Sequence, residues 1–138
     1  MKFFFVSLLF GFSVTSPAQN KLSHDDSLLI GTWKGTSICQ VRPSACNDEI
    51  AAYHITRDSS PNIYHMVLNK VVNGAEEYMG ESDYSLDTAK KILRSVNEKY
   101  KIIMTFHLKG DKMDGTLALL PDPNKPYRII KLTKASDK

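Results

Sequence analysis

The feature that most constrains this chain is its punctuation. From Gly31 onward, turn chemistry recurs at short intervals: Asp58-Ser59-Ser60-Pro61-Asn62, Asn73-Gly74, Asp87-Thr88-Ala89-Lys90, Gly110-Asp111 and Pro121-Asp122-Pro123-Asn124-Lys125-Pro126. Between these breaks lie eight short runs with strand chemistry. They are Gly31 to Cys39, Glu49 to Arg57, Ile63 to Val72, Glu76 to Leu86, Lys91 to Asn97, Lys101 to Lys109, Met113 to Leu120 and Tyr127 to Lys134. The links leave no room for the crossover helices that parallel strands need, so consecutive runs pair antiparallel. Asn73-Gly74 is the strongest hairpin signal, because both residues tolerate positive φ.

Within the runs, apolar residues alternate with polar ones, the period of a half-buried strand. Ile102, Met104, Phe106 and Leu108 oppose Lys101, Thr105, His107 and Lys109. Met113, Leu117 and Leu119 oppose Asp114 and Thr116. Tyr78 and Tyr84 oppose Glu77, Glu81 and Asp83, and Tyr64, Met66 and Leu68 oppose His65, Val67 and Asn69. This reading predicts an all-β domain. It is a single eight-stranded antiparallel up-and-down barrel, preceded by a short N-terminal helical turn that Asp25 or Asp26 caps ahead of Leu28-Leu29-Ile30. The expected barrel lining is Tyr64, Met66, Tyr78, Tyr84, Met104 and Phe106, with Ile102, Leu117 and Leu119 beside them.

Residues 1–18 read as a signal peptide. Lys2 supplies the positive start, Phe3 to Val14 the apolar run, and Ser16-Pro17-Ala18 the small residues before a cut after Ala18. The expected mature domain is 19–138, secreted or periplasmic. The whole chain has 18 Lys and Arg against 15 Asp and Glu, and losing Lys2 leaves a net charge of +2. That charge is too mild, and too evenly spread, for a nucleic-acid partner. No second apolar stretch approaches the roughly 20 residues of a spanning helix, so no membrane partner is expected. Cys39 and Cys46 are the only cysteines. Export favours their oxidation, and Pro43-Ser44 between them favours a turn, so they are read as a disulfide stapling one loop.

The first run opens Gly31-Thr32-Trp33, after the helical turn. This Gly-x-Trp resembles the opening of the lipocalin-like (calycin) barrels. The resemblance implies that Gly31 bends the chain under the barrel floor and Trp33 plugs that end. It also implies that an arginine of the last strand, here Arg128, packs across the Trp33 ring. Gly31, Trp33 and Arg128 are structural residues on this reading, and the family admits both ligand carriers and protease inhibitors.

Other constellations have plainer explanations. His54, His65 and His107 fall on the outer face, so no metal site is expected, and no cofactor motif is present. Glu76, Glu77, Glu81 and Asp83 read as a solvated strand face rather than a catalytic pair. No nucleophile elbow, phosphate loop or metalloprotease motif occurs, so no enzymatic activity is expected. The tyrosines and Trp33 on the inner face suit either a ligand pocket or a filled interior. Two functions remain. One is an exported binder of a small apolar or aromatic ligand. The other is a protein-binding module or secreted inhibitor that uses the Cys39–Cys46 loop.

Overall fold

The structure is a computed structural model and describes residues 24–136. The signal peptide, its cut after Ala18 and the start of the 19–138 domain lie outside the described residues. Helix α1 (His24–Leu29) is followed by strands β1 (Gly31–Cys39), β2 (Glu49–Arg57), β3 (Ile63–Val72) and β4 (Ala75–Asp87). Strands β5 (Ile92–Asn97), β6 (Ile102–Lys109), β7 (Lys112–Leu119) and β8 (Pro126–Lys134) complete the order. Each strand pairs antiparallel with the next, and β8 returns to β1, so the sheet is a closed up-and-down barrel. Closure leaves no terminal edge strand.

The strand directions give the barrel two unlike ends. α1 and the turns at 58–62, 88–91 and 110–111 lie at the end called here the floor. The loops at 40–48, 73–74, 98–101 and 120–125 surround the other end, the mouth. Asn73 and Gly74 adopt φ of 52° and 79°, as the hairpin signal requires.

The floor is solid. Trp33 is fully buried and donates its indole N–H to the Leu29 carbonyl at 2.9 Å, which ties α1 to the barrel. Tyr64, Met66, Tyr84, Phe106 and Met113 pack with it in one core cluster. The Phe106 ring meets Tyr53 edge-on at 6.4 Å and Tyr84 at 5.9 Å. Gly115 faces Phe106 on β7, where a Cβ would lie 2.2 Å from the ring, so the strand approach depends on glycine. Gly31 has φ of 137°, a conformation other residues rarely adopt, and turns the chain from α1 into β1.

Like Asp25, Asp26 stands within the first turn of α1 rather than at a cap ahead of it. It is 2% exposed, accepting the Tyr64 hydroxyl at 2.7 Å and an Arg57 N–H at 2.7 Å. Burial and this bond to the Asp26 carboxylate push the Tyr64 hydroxyl up to about 12. Lys91 pairs with Asp25 at 2.6 Å, and Lys134 donates to the Ser27 carbonyl at 2.8 Å. α1 is therefore a lid fixed across the floor by five barrel strands or their turns.

Three expectations need correction. Tyr78 is 65% exposed and lies outside the barrel. The β3·β4 register shifts between Leu68 and Asn69, so Leu68 faces Gly80 while Asn69 faces Tyr78, and Met79 is the extra residue. A bulge of this kind inverts the faces of everything before it on the strand. Tyr78 and Glu76 therefore turn outward together. Leu119 is 42% exposed at the end of β7, where it meets Val41, Pro126 and Tyr127 in a shallow surface groove.

Arg128 does not reach Trp33. β8 runs from mouth to floor, so its third residue stands opposite Cys39, whereas Trp33 stands opposite Lys134. Six strand residues separate the two sites, about 20 Å at the usual rise. Arg128 does point inward with Ile130 and Leu132, as its parity implies.

Candidate functional site at the barrel mouth

Above the aromatic layer the barrel is hollow. A cavity of about 280 Å³ opens at the mouth. Tyr53, Met104 and Ile130 form its base, and Leu68, Ile102 and Leu117 its apolar wall. The inner positions that could fill it carry small side chains: Ser37 on β1, Gly80 and Ser82 on β4, Ser95 on β5. The wall is also incomplete. β4 pairs with β5 only through Ser85↔Arg94, Leu86↔Leu93 and Asp87↔Ile92, all near the floor. Toward the mouth the two strands part, and Met79, Gly80 and Glu81 face Ser95, Asn97 and Tyr100 across the opening.

One charged pair stands inside. Arg128 and Glu49 are only 14% and 18% exposed, with Nη1 and Oε2 3.4 Å apart. Arg128 Nη1 also donates to Ser37 Oγ at 3.2 Å and to the Ser37 carbonyl at 3.4 Å, and Nη2 donates to Glu49 Oε1 at 3.4 Å. These distances are long for charge-assisted bonds, which run to about 2.7–2.9 Å. The pair is near enough to attract and too open to saturate both partners. Beside it, burial and then the Glu49 carboxylate push the Tyr53 hydroxyl up to about 12, so that hydroxyl stays a donor.

The rim is apolar. Among the described residues, Ile38, Ile50, Val72, Tyr78, Met79, Val96, Tyr100 and Leu119 are large apolar side chains exposed toward the mouth, and Leu28 is the counterpart near the floor. The stapled loop forms part of this rim. Cys39 and Cys46 are bonded, with Cα atoms 6.0 Å apart. Asp48 accepts the Cys39 N–H at 3.0 Å and pairs with Arg42, closing the loop a second way.

No known protein family, characterised protein or solved structure matches this chain. The site is defined by its own chemistry.

Of the expected lining residues, Met104 borders the cavity, with Ile102 and Leu117 beside it. Tyr64, Met66, Tyr84 and Phe106 are inside the barrel but belong to the solid floor, and Tyr78 is outside. Burial pushes the Tyr84 hydroxyl well above the usual tyrosine range, and it donates to the Met104 sulfur at 3.1 Å. Arg128 does not pack across the Trp33 ring; it lines the cavity instead. Ser37, Ser82 and Ser95 escaped the sequence reading. Their signal was available: small residues at inward parity, each nearer the mouth than the large inward residue Trp33, Tyr84 or Leu93 of its own strand.

Two of the outer-face histidines, His54 and His65, have carboxylate partners. His54 Nε2 lies 2.6 Å from Glu76, which also accepts from Asn69 at 2.7 Å, because the bulge turns Glu76 outward. His65 lies 2.7 Å from Asp83 and 3.1 Å from Glu81. Hydrogen bonding to Asp83 and then Glu81 raises the His65 pKa, and the bonds from His54 and Asn69 lower that of Glu76. Among the described residues no group of His, Cys, Asp or Glu is placed to hold a metal ion, and no helix is long and apolar enough to cross a membrane.

Proposed function

We propose that this is an exported, non-enzymatic binding protein that takes a small, largely apolar or aromatic ligand in the mouth half of a lipocalin-like barrel. The observation that carries the reading is the cavity itself. It is apolar at base and wall, holds one underused polar pair, and opens through the parted strands β4 and β5. Few convergent polar groups in an apolar concavity is the usual composition of a small-molecule site. The disulfide supports export, since such bonds persist in oxidising compartments. The lipocalin-like reading rests on the closed eight-stranded barrel with its Gly31–Trp33 opening, while the Arg128 part of the resemblance falls away.

A second reading is favoured by one observation: exposed Ile38, Ile50 and Leu119 flank the Cys39–Cys46 loop. Exposed apolar side chains around a stapled loop suit a protein partner or the target of a secreted inhibitor. Titration with a neutral phenyl-naphthylamine probe separates the two. Saturable fluorescence enhancement, abolished in a Ser95→Trp variant that fills the cavity, supports the ligand reading. Absence of saturable binding to the folded wild type rejects it and leaves the rim as the functional surface.

A further inference from the structure

We infer that the head group of the ligand is an uncharged amide, presenting an acceptor to Arg128 and a donor to Glu49. This rests on the binding reading above and names the chemistry of its polar end. The cavity interior already holds one positive and one negative group, 3.4 Å apart and both largely shielded from water. A carboxylate guest would satisfy Arg128 by displacing Glu49, leaving two negative groups around one cation in a poorly solvated space. An ammonium guest would do the converse. Either leaves a shielded charge without its partner, the costly arrangement.

An amide avoids this. Its carbonyl oxygen accepts from the guanidinium and its N–H donates to the carboxylate, so both charged groups gain a bond and the interior stays neutral. The amide meets the pair from the cavity side, which Glu49 and Arg128 both line, rather than passing between them. All four contacts of Arg128 to Glu49 and Ser37 fall between 3.2 and 3.4 Å, so none is a short bond that must be broken. The apolar part of the ligand then lies on Met104, Leu117 and Ile130. Tyr53 borders the same space, with its hydroxyl bonded to Ser37.

The test uses one naphthalene body with three heads: the carboxamide, the carboxylate and the aminomethyl cation, each competed against the phenyl-naphthylamine probe at neutral pH. The wild type should prefer the carboxamide by about tenfold or more over both ions, the ratio one hydrogen bond to a charged group commands. Glu49→Gln should move the preference to the carboxylate, and Arg128→Gln to the aminomethyl compound. Arg128→Lys, which keeps the charge, should keep the carboxamide first. The wild-type ranking needs no variant, so a misfolded substitution does not rescue the inference. Equal affinity for the three heads, or a carboxylate preference in the wild type, overturns the amide inference and leaves the binding reading intact. Failure of every compound and of the probe removes both.

Discussion

At the floor, the inward positions carry Trp33 on β1, Tyr84 on β4 and Leu93 on β5, all fully buried. Further up the same strands, the inward positions carry Ser37, then Ser82 and Gly80, then Ser95. One sheet with one alternation therefore gives a packed plug at one end and a cavity at the other. Side-chain volume differs between the two ends, and so does the pairing of β4 with β5. A small barrel fills when its inward residues are large and empties where they shrink. The wall follows the same division, because β4 and β5 hold together beside Leu86 and Leu93 and part where their inward residues become small. On the binding reading proposed above, stability belongs to the floor and binding to the mouth, so substitutions at the two ends should affect different measurements.

The largest effect belongs to the floor. Trp33→Ala should cost about 3–5 kcal/mol in urea unfolding, as a large core truncation does. Leu117→Ala, in the half-buried cavity wall, should cost less than about 2 kcal/mol, since solvent already borders the site. Equal costs at the two positions would dissolve the contrast. Replacing both Cys39 and Cys46 with Ser comes next. Freeing a loop this short should cost roughly 2–3 kcal/mol.

Asp26→Ala should follow at about 1–3 kcal/mol, the cost of stranding the buried Tyr64 hydroxyl. Probe affinity at the mouth should be unchanged, because Asp26 works at the opposite end; a parallel loss of binding would show the ends to be coupled. Tyr78→Ser should move stability by no more than about 0.5 kcal/mol, as expected of an exposed side chain. A large loss would mean that Tyr78 is inside after all and the β4 bulge is absent.

The smallest effect is a pH dependence on the outer wall. The folded pKa of His65 is raised, chiefly by its bond to Asp83. Its stabilising contribution is therefore complete below the unfolded value and fades as pH rises through the folded one. The difference in Tm between wild type and His65→Gln should be largest in mild acid and shrink in mild base. Glu76 has the opposite sign: its pKa is lowered, so its contribution is present above the unfolded value and is lost as pH falls through the folded one. Both groups are largely exposed, so both effects are small.

Much of the fold was legible because period-2 alternation and turn residues are local signals. Asn73-Gly74 stands where it was expected, and each of the eight runs corresponds to a strand, with ends differing by a residue or two. Tyr78 and Arg128 were misplaced for different physical reasons. The single extra residue Met79 inverts a face, and the one local sign of the bulge, Gly80 inside a strand pattern, was not read as such. Arg128 had the right parity and the wrong height, because alternation fixes which face a side chain takes and says nothing about which end of the barrel it occupies. Strand direction does settle that: β8 is antiparallel to β1, so its first residues meet the last of β1. The cavity was legible in principle from the serines at inward positions, a pattern overshadowed by the tyrosines and methionines that fill the floor.

The division between a solid floor and a hollow mouth is tested most directly by methyl-resolved NMR during titration with the neutral phenyl-naphthylamine probe. Saturable shifts should appear at the methyls of Met79, Met104, Leu117 and Ile130, which border the cavity. The methyls of Ile55, Met66 and Met113, enclosed in the floor cluster, should stay where they are. Shifts spread equally over both sets, or none that saturates, would contradict the account.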